Sequence, residues 1–197
     1  MSKHEGKAPI PIFDVQKWTI RMVVATLFGG ALLVLAQPHV RPYLLIPGIA
    51  LAALGCLIRI WGCGHLRKNK FLATGGPYAF VRHPLYVGTF FVLVGLGIMG
   101  GSDWVMILLA VAILVYVTFY APRKERKESG RLERRFGDEF VKYRKAVKSY
   151  FPRLTPYPER QGTFAWEGVM INREYLITFA VAFGVAVILA KYFWYTA

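Results

Sequence analysis

Long apolar runs alternate with short polar connections along the chain. The runs cover residues 18–36, 43–63, 85–99, 104–121 and 175–195, with few charged side chains inside them. Runs near 20 residues match the hydrocarbon thickness of a bilayer. The pattern therefore predicts an all-α integral membrane protein with about five transmembrane helices, numbered here as spans one to five. Residues 1–16 are polar and contain prolines, which is typical of a surface tail.

Turn residues predict how the spans connect. Gly100-Gly101-Ser102-Asp103 leaves only a short turn between spans three and four, so these spans form an antiparallel helical hairpin. Glycines recur in spans one to three, where small residues allow close helix contact. Arg59 lies near the end of span two, and we expect its side chain to reach the membrane interface, as we do for Arg21 in span one.

Composition and charge narrow the class further. Hydrophobic residues make up 55% of the chain and the net charge is +14. The basic residues cluster beside apolar runs, which favours contact with anionic lipids over nucleic-acid binding. The polar connection at 64–84 carries four basic residues and no acid, so the positive-inside rule predicts that it is cytoplasmic. These basic residues are Arg67, Lys68, Lys70 and Arg82. The N-terminus is then cytoplasmic and the C-terminus lies outside.

A basic amphipathic helix follows span four. Leu132, Phe136, Phe140, Tyr143 and Val147 recur at spacings of three and four, an apolar stripe on one helical face. Gly137 should break or kink this helix. We expect the helix either to lie on the membrane surface or to fold over the cytoplasmic ends of the spans.

The junction between spans two and three, residues 75–86, holds the first group of candidate functional residues. Its Gly and Pro residues are explained by a tight turn and a helix start. Tyr78, His83 and Tyr86 are not explained in this way, although an interfacial aromatic belt would account for the tyrosines. The junction thus contains rings and an imidazole suited to holding a small molecule.

The charged turn after span four holds the second group. Lys124 and Glu128 are four residues apart and share a helical face. They form either a solvated ion pair or an inward-facing site, in which Glu128 is anionic and binds a cation or hydroxyl groups. No phosphate-binding loop, nucleophile elbow or metal-ligand spacing is present, so the sequence identifies no catalytic group. Cys56 and Cys63 lie in an apolar run and are expected to pack rather than to bridge or ligate.

Together the two groups resemble the isoprenylcysteine carboxyl methyltransferase family, integral membrane enzymes with phospholipid N-methyltransferase relatives. The resemblance covers about residues 60–153. The first half of the pattern is Gly76-Pro77-Tyr78 and Arg82-His83-Pro84-Leu85-Tyr86-Val87-Gly88. The second half is Glu128, Leu132, Phe136-Gly137-Asp138-Glu139-Phe140, Tyr143, Val147 and Pro152.

The resemblance implies transfer of a methyl group from S-adenosylmethionine to a lipophilic carboxylate or amine that resides in the membrane. It implies a cytoplasmic cofactor pocket and membrane lipids as partners. The implied cofactor-binding residues are Phe71, Leu72, Tyr78, His83, Pro84, Leu85, Tyr86 and Glu128. Lys124 stands at the position where the family has an arginine near the substrate. The neighbouring Arg123 is the second candidate for the role of that arginine. Ser129 replaces the second of two consecutive glutamates that are common in the family.

The chain is interpreted as one membrane domain over residues 1–197. Spans one and two occupy 18–63, the family-like core with the hairpin occupies 64–153, and a C-terminal extension with span five occupies 154–197. There are two alternatives to a methyltransferase. One is a sterol-reductase-like enzyme that uses NADPH, and the other is a non-enzymatic lipid-binding protein. We prefer the methyltransferase because the sequence offers no further polar pocket residues.

Overall fold

The computed structural model describes residues 29–66 and 71–197, and these ranges contain helices and no strands. The helices are α1 (Leu45–His65), α2 (Pro84–Met99), α3 (Asp103–Val115), α4 (Ala121–Ala146), α5 (Trp166–Ile171) and α6 (Glu174–Thr196). Residues 29–35 are also helical. Most of predicted span one, with Arg21, lies outside the described residues, as do Arg67, Lys68 and Lys70.

Three helical stretches in the described ranges are long and apolar enough to cross a membrane. They are Pro42–His65, Asp103–Ala146 and Glu174–Thr196, while α2 is a shorter apolar helix. The longest stretch is continuous because a five-residue π-helix, Tyr116–Tyr120, joins α3 to α4. The predicted all-α membrane protein is confirmed, whereas five spans and their orientation stay predictions.

Glycines bring α1 and α2 into close contact. A Cβ atom on Gly55 would lie 2.6 Å from the carbonyl oxygen of Gly88, and one on Gly95 would lie 2.6 Å from that of Gly48. Neither position has room for a side chain. The predicted role of the span glycines is therefore confirmed for this helix pair, which places the start of α2 beside the end of α1.

We expect Gly55→Ala to lower the thermal unfolding temperature by several degrees. The added methyl group would press on backbone atoms of α2, and overpacking costs about 1–3 kcal/mol. Gly184→Ala in α6 is the matched control, because its Cβ would meet only Leu96 Cδ2 at an ordinary 3.8 Å. Thermal unfolding of both variants in detergent tests this, and equal melting temperatures would contradict the packing argument.

The turn between α2 and α3 is as short as predicted. Gly101 has a φ of 69°, and Ser102 caps α3 by accepting a hydrogen bond from the Val105 amide at 3.3 Å. The Ser102 hydroxyl also donates to the Leu35 carbonyl at 2.8 Å. The hairpin therefore returns α4 to the end of the bundle where α2 begins.

The apolar stripe of α4 packs against the junction instead of lying free on a surface. Phe140, Tyr143 and Val147 are buried with Leu72 and Ala79, and Leu132 and Phe136 pack against this cluster. Gly137 interrupts the helix with a φ of 52° and a ψ of −129°. Of the two predicted locations for this helix, the structure adopts the fold-back, and the predicted kink is confirmed.

The segment that follows α4, residues 148–165, runs along the junction and is called the strap here. Its backbone bonds the junction at several points. These are Arg82 N to Lys148 O, His83 N to Ser149 O, Arg153 N to Phe80 O, Tyr157 N to Ala79 O and Gly75 N to Gln161 O, all between 2.9 and 3.1 Å. The Arg82 side chain adds an ion pair to Glu125 at 2.9 Å. The strap thus fixes the conformation of the loop that carries His83.

Candidate active site

A cavity of about 550 Å³ lies where the junction, α1, α4 and α6 meet. All eight residues expected to bind the cofactor line it, namely Phe71, Leu72, Tyr78, His83, Pro84, Leu85, Tyr86 and Glu128. Lys124 lines it as well. Arg123 does not: its side chain is exposed and its guanidinium lies 5.5 Å from the centre of the Phe119 ring. The structure thus brings the two candidate groups together without Arg123.

Tyr86 and Glu128 make the direct contact between the two groups. The Tyr86 hydroxyl donates a hydrogen bond of 2.7 Å to Glu128 Oε1, across 42 residues of sequence. Lys124 Nζ lies 3.6 Å from the same carboxylate oxygen, which confirms the ion pair expected from the i,i+4 spacing. The Glu128 side chain keeps 27% exposure, so a ligand in the cavity can reach its carboxylate.

His83 is buried at the start of α2 and stacks on Tyr86, with 5.3 Å between the ring centres. Its Nδ1 lies 3.7 Å from Glu128 Oε2, and its buried Nε2 has no hydrogen-bond partner among the described residues. Burial lowers the pKa of His83, outweighing the nearby Glu128 carboxylate, which raises it. His83 is therefore a neutral imidazole at pH 7, and its contact with Glu128 is not an ion pair.

This lowered pKa predicts how stability depends on pH. Unfolded His83 has a pKa of about 6.5, so below that pH the unfolded state binds a proton that the folded state excludes. Stability should be complete above pH 6.5 and fall as the pH decreases. We expect His83→Gln to flatten this dependence between pH 5 and 7, measured as melting temperature against pH. An unchanged slope in the variant would show that other groups cause it.

Tyr78 lines the cavity with an uncharged phenol side chain. Its side chain is buried, and burial raises its phenol pKa well above the ordinary value. The Tyr143 hydroxyl donates to the Tyr78 carbonyl at 2.7 Å. This bond ties the apolar stripe of α4 to the junction.

The π-helix supports the same site. The Tyr116 hydroxyl donates to the Tyr86 carbonyl at 3.1 Å, and Tyr120 places its ring 6.5 Å from that of Tyr86. Tyr120 also lines the cavity. Single π turns often occur at functional sites, because they change the direction of the side chains that follow. Here the turn precedes Lys124 and Glu128 directly.

Several polar side chains in the cavity were not predicted. Arg131 and Arg135 line it from α4, at three and seven residues after Glu128, and Asn172 and Glu174 line it from the C-terminal extension. The expectation of no further polar pocket residues is therefore wrong. Helical spacing from Glu128 could have identified the two arginines, while nothing in the sequence indicates that the C-terminal extension reaches the junction.

The prediction that Arg59 reaches the membrane interface is also wrong. Its guanidinium forms two hydrogen bonds with Glu174, Nε to Oε1 at 2.6 Å and Nη2 to Oε2 at 2.8 Å. Its Nη1 donates to the Leu85 carbonyl and to Thr89 Oγ1. Glu174 is 2% exposed, so Arg59 turns inward because a buried carboxylate needs a cation. Cys56 and Cys63 are both buried, as expected for packing residues.

Part of the chain matches a known protein family. Residues 44–139 match the family described as phospholipid methyltransferase. This segment, called the family segment here, resembles the phospholipid methyltransferase family. It contains the junction, the hairpin and Glu128, and it ends before the strap and α6. The predicted resemblance to membrane methyltransferases is thus confirmed.

Three curated relatives extend the comparison. The cobalt-zinc-cadmium resistance protein CzcN of Cupriavidus metallidurans is 36% identical over 129 residues, 64% of this chain and 56% of the relative. The nickel-cobalt-cadmium resistance protein NccN of Alcaligenes xylosoxydans is 38% identical over 110 residues, which are 55% of this chain and 48% of the relative. The protein-S-isoprenylcysteine O-methyltransferase of Schizosaccharomyces pombe is 38% identical over 87 residues, which are 44% of this chain and 35% of the relative. The chain thus spans about half the length of its first two relatives. No solved structure matches.

Proposed function

We propose that this protein transfers a methyl group from S-adenosylmethionine to a lipophilic acceptor that resides in the membrane. The observation that carries the proposal is that Tyr86 and His83 meet Glu128 in one cavity. Its volume lies within the range of about 300–1,000 Å³ found for small-molecule sites. The family of residues 44–139 supports methyl transfer as the reaction class.

The chemistry of the lining fits the proposed donor. Its ammonium and sulfonium groups are cations, and the Glu128 carboxylate is an acceptor within the cavity. The faces of Tyr86 and Tyr120 add cation–π attraction. The buried Nε2 of His83 can donate a hydrogen bond to a ligand in the cavity or accept one from it, depending on the tautomer.

S-adenosylmethionine supplies an electrophilic methyl group, so its transfer depends mainly on alignment with the acceptor. The strap and Tyr143 provide that alignment by fixing the junction. A carboxylate acceptor needs no base. An amine acceptor must lose a proton, and neutral His83 is the group in the cavity able to take it.

The main alternative is an NADPH-dependent reductase, because Arg131 and Arg135 give the cavity cations suited to a phosphate. Two relatives carry names for metal resistance. Within the described ranges, no group of three His, Cys, Asp or Glu side chains could hold a metal ion.

Calorimetric titration of the purified protein with S-adenosylmethionine and with NADPH separates the enzyme classes. We expect binding of the first and none of the second. Incubation with methyl-labelled donor and a membrane lipid extract should then yield a labelled lipid. NADPH binding without donor binding would favour the reductase, and binding of neither would favour a non-enzymatic protein.

A further inference from the structure

The cavity has a second wall, which is built from α1, α6 and the turn before α6 and is called the α6 wall here. It consists of Arg59, Cys63, Asn172, Glu174 and Ile177. Asn172, Glu174 and Ile177 follow the family segment, which ends at residue 139, whereas Arg59 and Cys63 lie inside it. The wall thus joins residues of the family segment to residues beyond it.

The turn between α5 and α6 directs two polar side chains into the cavity. Arg173 adopts a left-handed conformation, with a φ of 54° and a ψ of 33°, which is unfavourable for a residue with a side chain. Asn172 on one side of it and Glu174 on the other both line the cavity. The strained residue is therefore what allows the two polar groups on either side of it to reach the same space.

Asn172 offers an acceptor to a ligand. Its Nδ2 donates to the Gly168 carbonyl at 2.7 Å, which orients the amide. Its Oδ1 is buried and has no hydrogen-bond partner in the described part of the chain. The neighbouring Glu174 is neutralised by its bidentate contact with Arg59, so this wall requires no net charge of its ligand.

Ile177 connects the cavity with the apolar surface of α6. It lines the cavity and is nevertheless 41% exposed. α6 is one of the helices apolar enough to cross a membrane. An aliphatic chain that leaves the cavity past Ile177 therefore enters the hydrocarbon region.

We propose that the α6 wall is the acceptor subsite, an inference that rests on the proposed methyl transfer. The acceptor is an amphiphile whose head carries an O–H or N–H donor for Asn172 Oδ1, next to the group that is methylated. Its aliphatic chain passes Ile177 into the bilayer. Acceptor choice is then set in part by residues beyond the family segment, Asn172, Glu174 and Ile177.

Two adjacent α6 residues provide a matched test. Ile177 and Leu176 are both exposed, but only Ile177 lines the cavity. We expect Ile177→Trp to lower label transfer from methyl-labelled S-adenosylmethionine to a membrane lipid extract at least tenfold. Leu176→Trp should transfer at the wild-type rate, and calorimetry should give both variants the wild-type affinity for the donor.

Asn172→Leu tests the polar contact separately. Loss of one neutral hydrogen bond, about 0.5–1.5 kcal/mol, predicts a roughly two- to twelvefold higher apparent KM for the extract. Donor affinity should again be unchanged. The inference is overturned if Ile177→Trp transfers label as wild type does, or if either cavity variant weakens donor binding as much as transfer. A wild-type protein that binds the donor but labels no lipid would instead defeat the proposed function, and the inference with it.

Discussion

Replacing Glu128 with alanine should weaken S-adenosylmethionine binding about 10- to 100-fold. The carboxylate lines the cavity and contacts both Tyr86 and Lys124. A hydrogen bond to a charged group contributes about 1.5–3 kcal/mol, which corresponds to the stated change in affinity. Calorimetric titration of the purified variant measures this directly.

Two control variants make the Glu128 result specific. Glu133→Ala removes a carboxylate from the same helix whose partner is the exposed Arg144, at 3.4 Å, and it should bind the donor as wild type does. Glu128→Gln keeps an oxygen for the Tyr86 hydroxyl but loses the charge, so its affinity should lie between those of wild type and Glu128→Ala. If Glu128→Ala bound the donor with wild-type affinity, Glu128 would not belong to the donor site.

The sequence predicted the elements of this fold because bilayer-spanning helices have strong signals. The length of the apolar runs, the turn before Ser102 and the period of the α4 stripe each depend on neighbouring residues only. The span glycines added one tertiary contact, between α1 and α2. Orientation stays a prediction, since it depends on basic residues such as Arg67 that lie outside the described ranges.

The site was predicted where its residues lie in two short segments joined by the hairpin. Tyr86 and Glu128 meet because α2 and α3 are antiparallel and the helix that carries Glu128 is continuous with α3. The π-helix was not predicted, because one extra residue per turn leaves no pattern in an apolar run. Asn172 and Glu174 were missed because their approach depends on the strap and the strained Arg173, which link segments about 100 residues apart.

These differences divide the residues around the cavity into two sets. The residues that face the proposed donor come from the family segment and could be identified from its motifs. The strap fixes the junction and α6 completes the cavity, although both lie outside that segment. A charged residue near the end of an apolar run, such as Arg59 or Glu174, indicates a contact between distant segments. This holds when a residue of opposite charge lies in another run at a similar depth in the membrane.

Replacing Glu174 with alanine should lower the melting temperature by roughly 6–20 °C. The change would leave Arg59 buried without its carboxylate, and breaking a buried ion pair costs about 3–5 kcal/mol, at roughly 2–4 °C per kcal/mol for a chain of this size. The pair also holds α1 against α6, since Cys63 Sγ donates to the same carboxylate at 3.3 Å. Thermal unfolding in detergent, with and without S-adenosylmethionine, measures the effect.

The double variant Arg59→Met/Glu174→Leu separates charge from packing. Replacing both partners by apolar residues of similar volume is often neutral or stabilising, so its melting temperature should return to within a few degrees of wild type. The exposed pair provides the control, because Glu133→Ala should change the melting temperature by little: surface ion pairs contribute about 0–1 kcal/mol. Two results would contradict the unpaired guanidinium as the cause of the lost stability. One is equal melting temperatures for Glu174→Ala and Glu133→Ala, and the other is a double variant that melts at as low a temperature as Glu174→Ala.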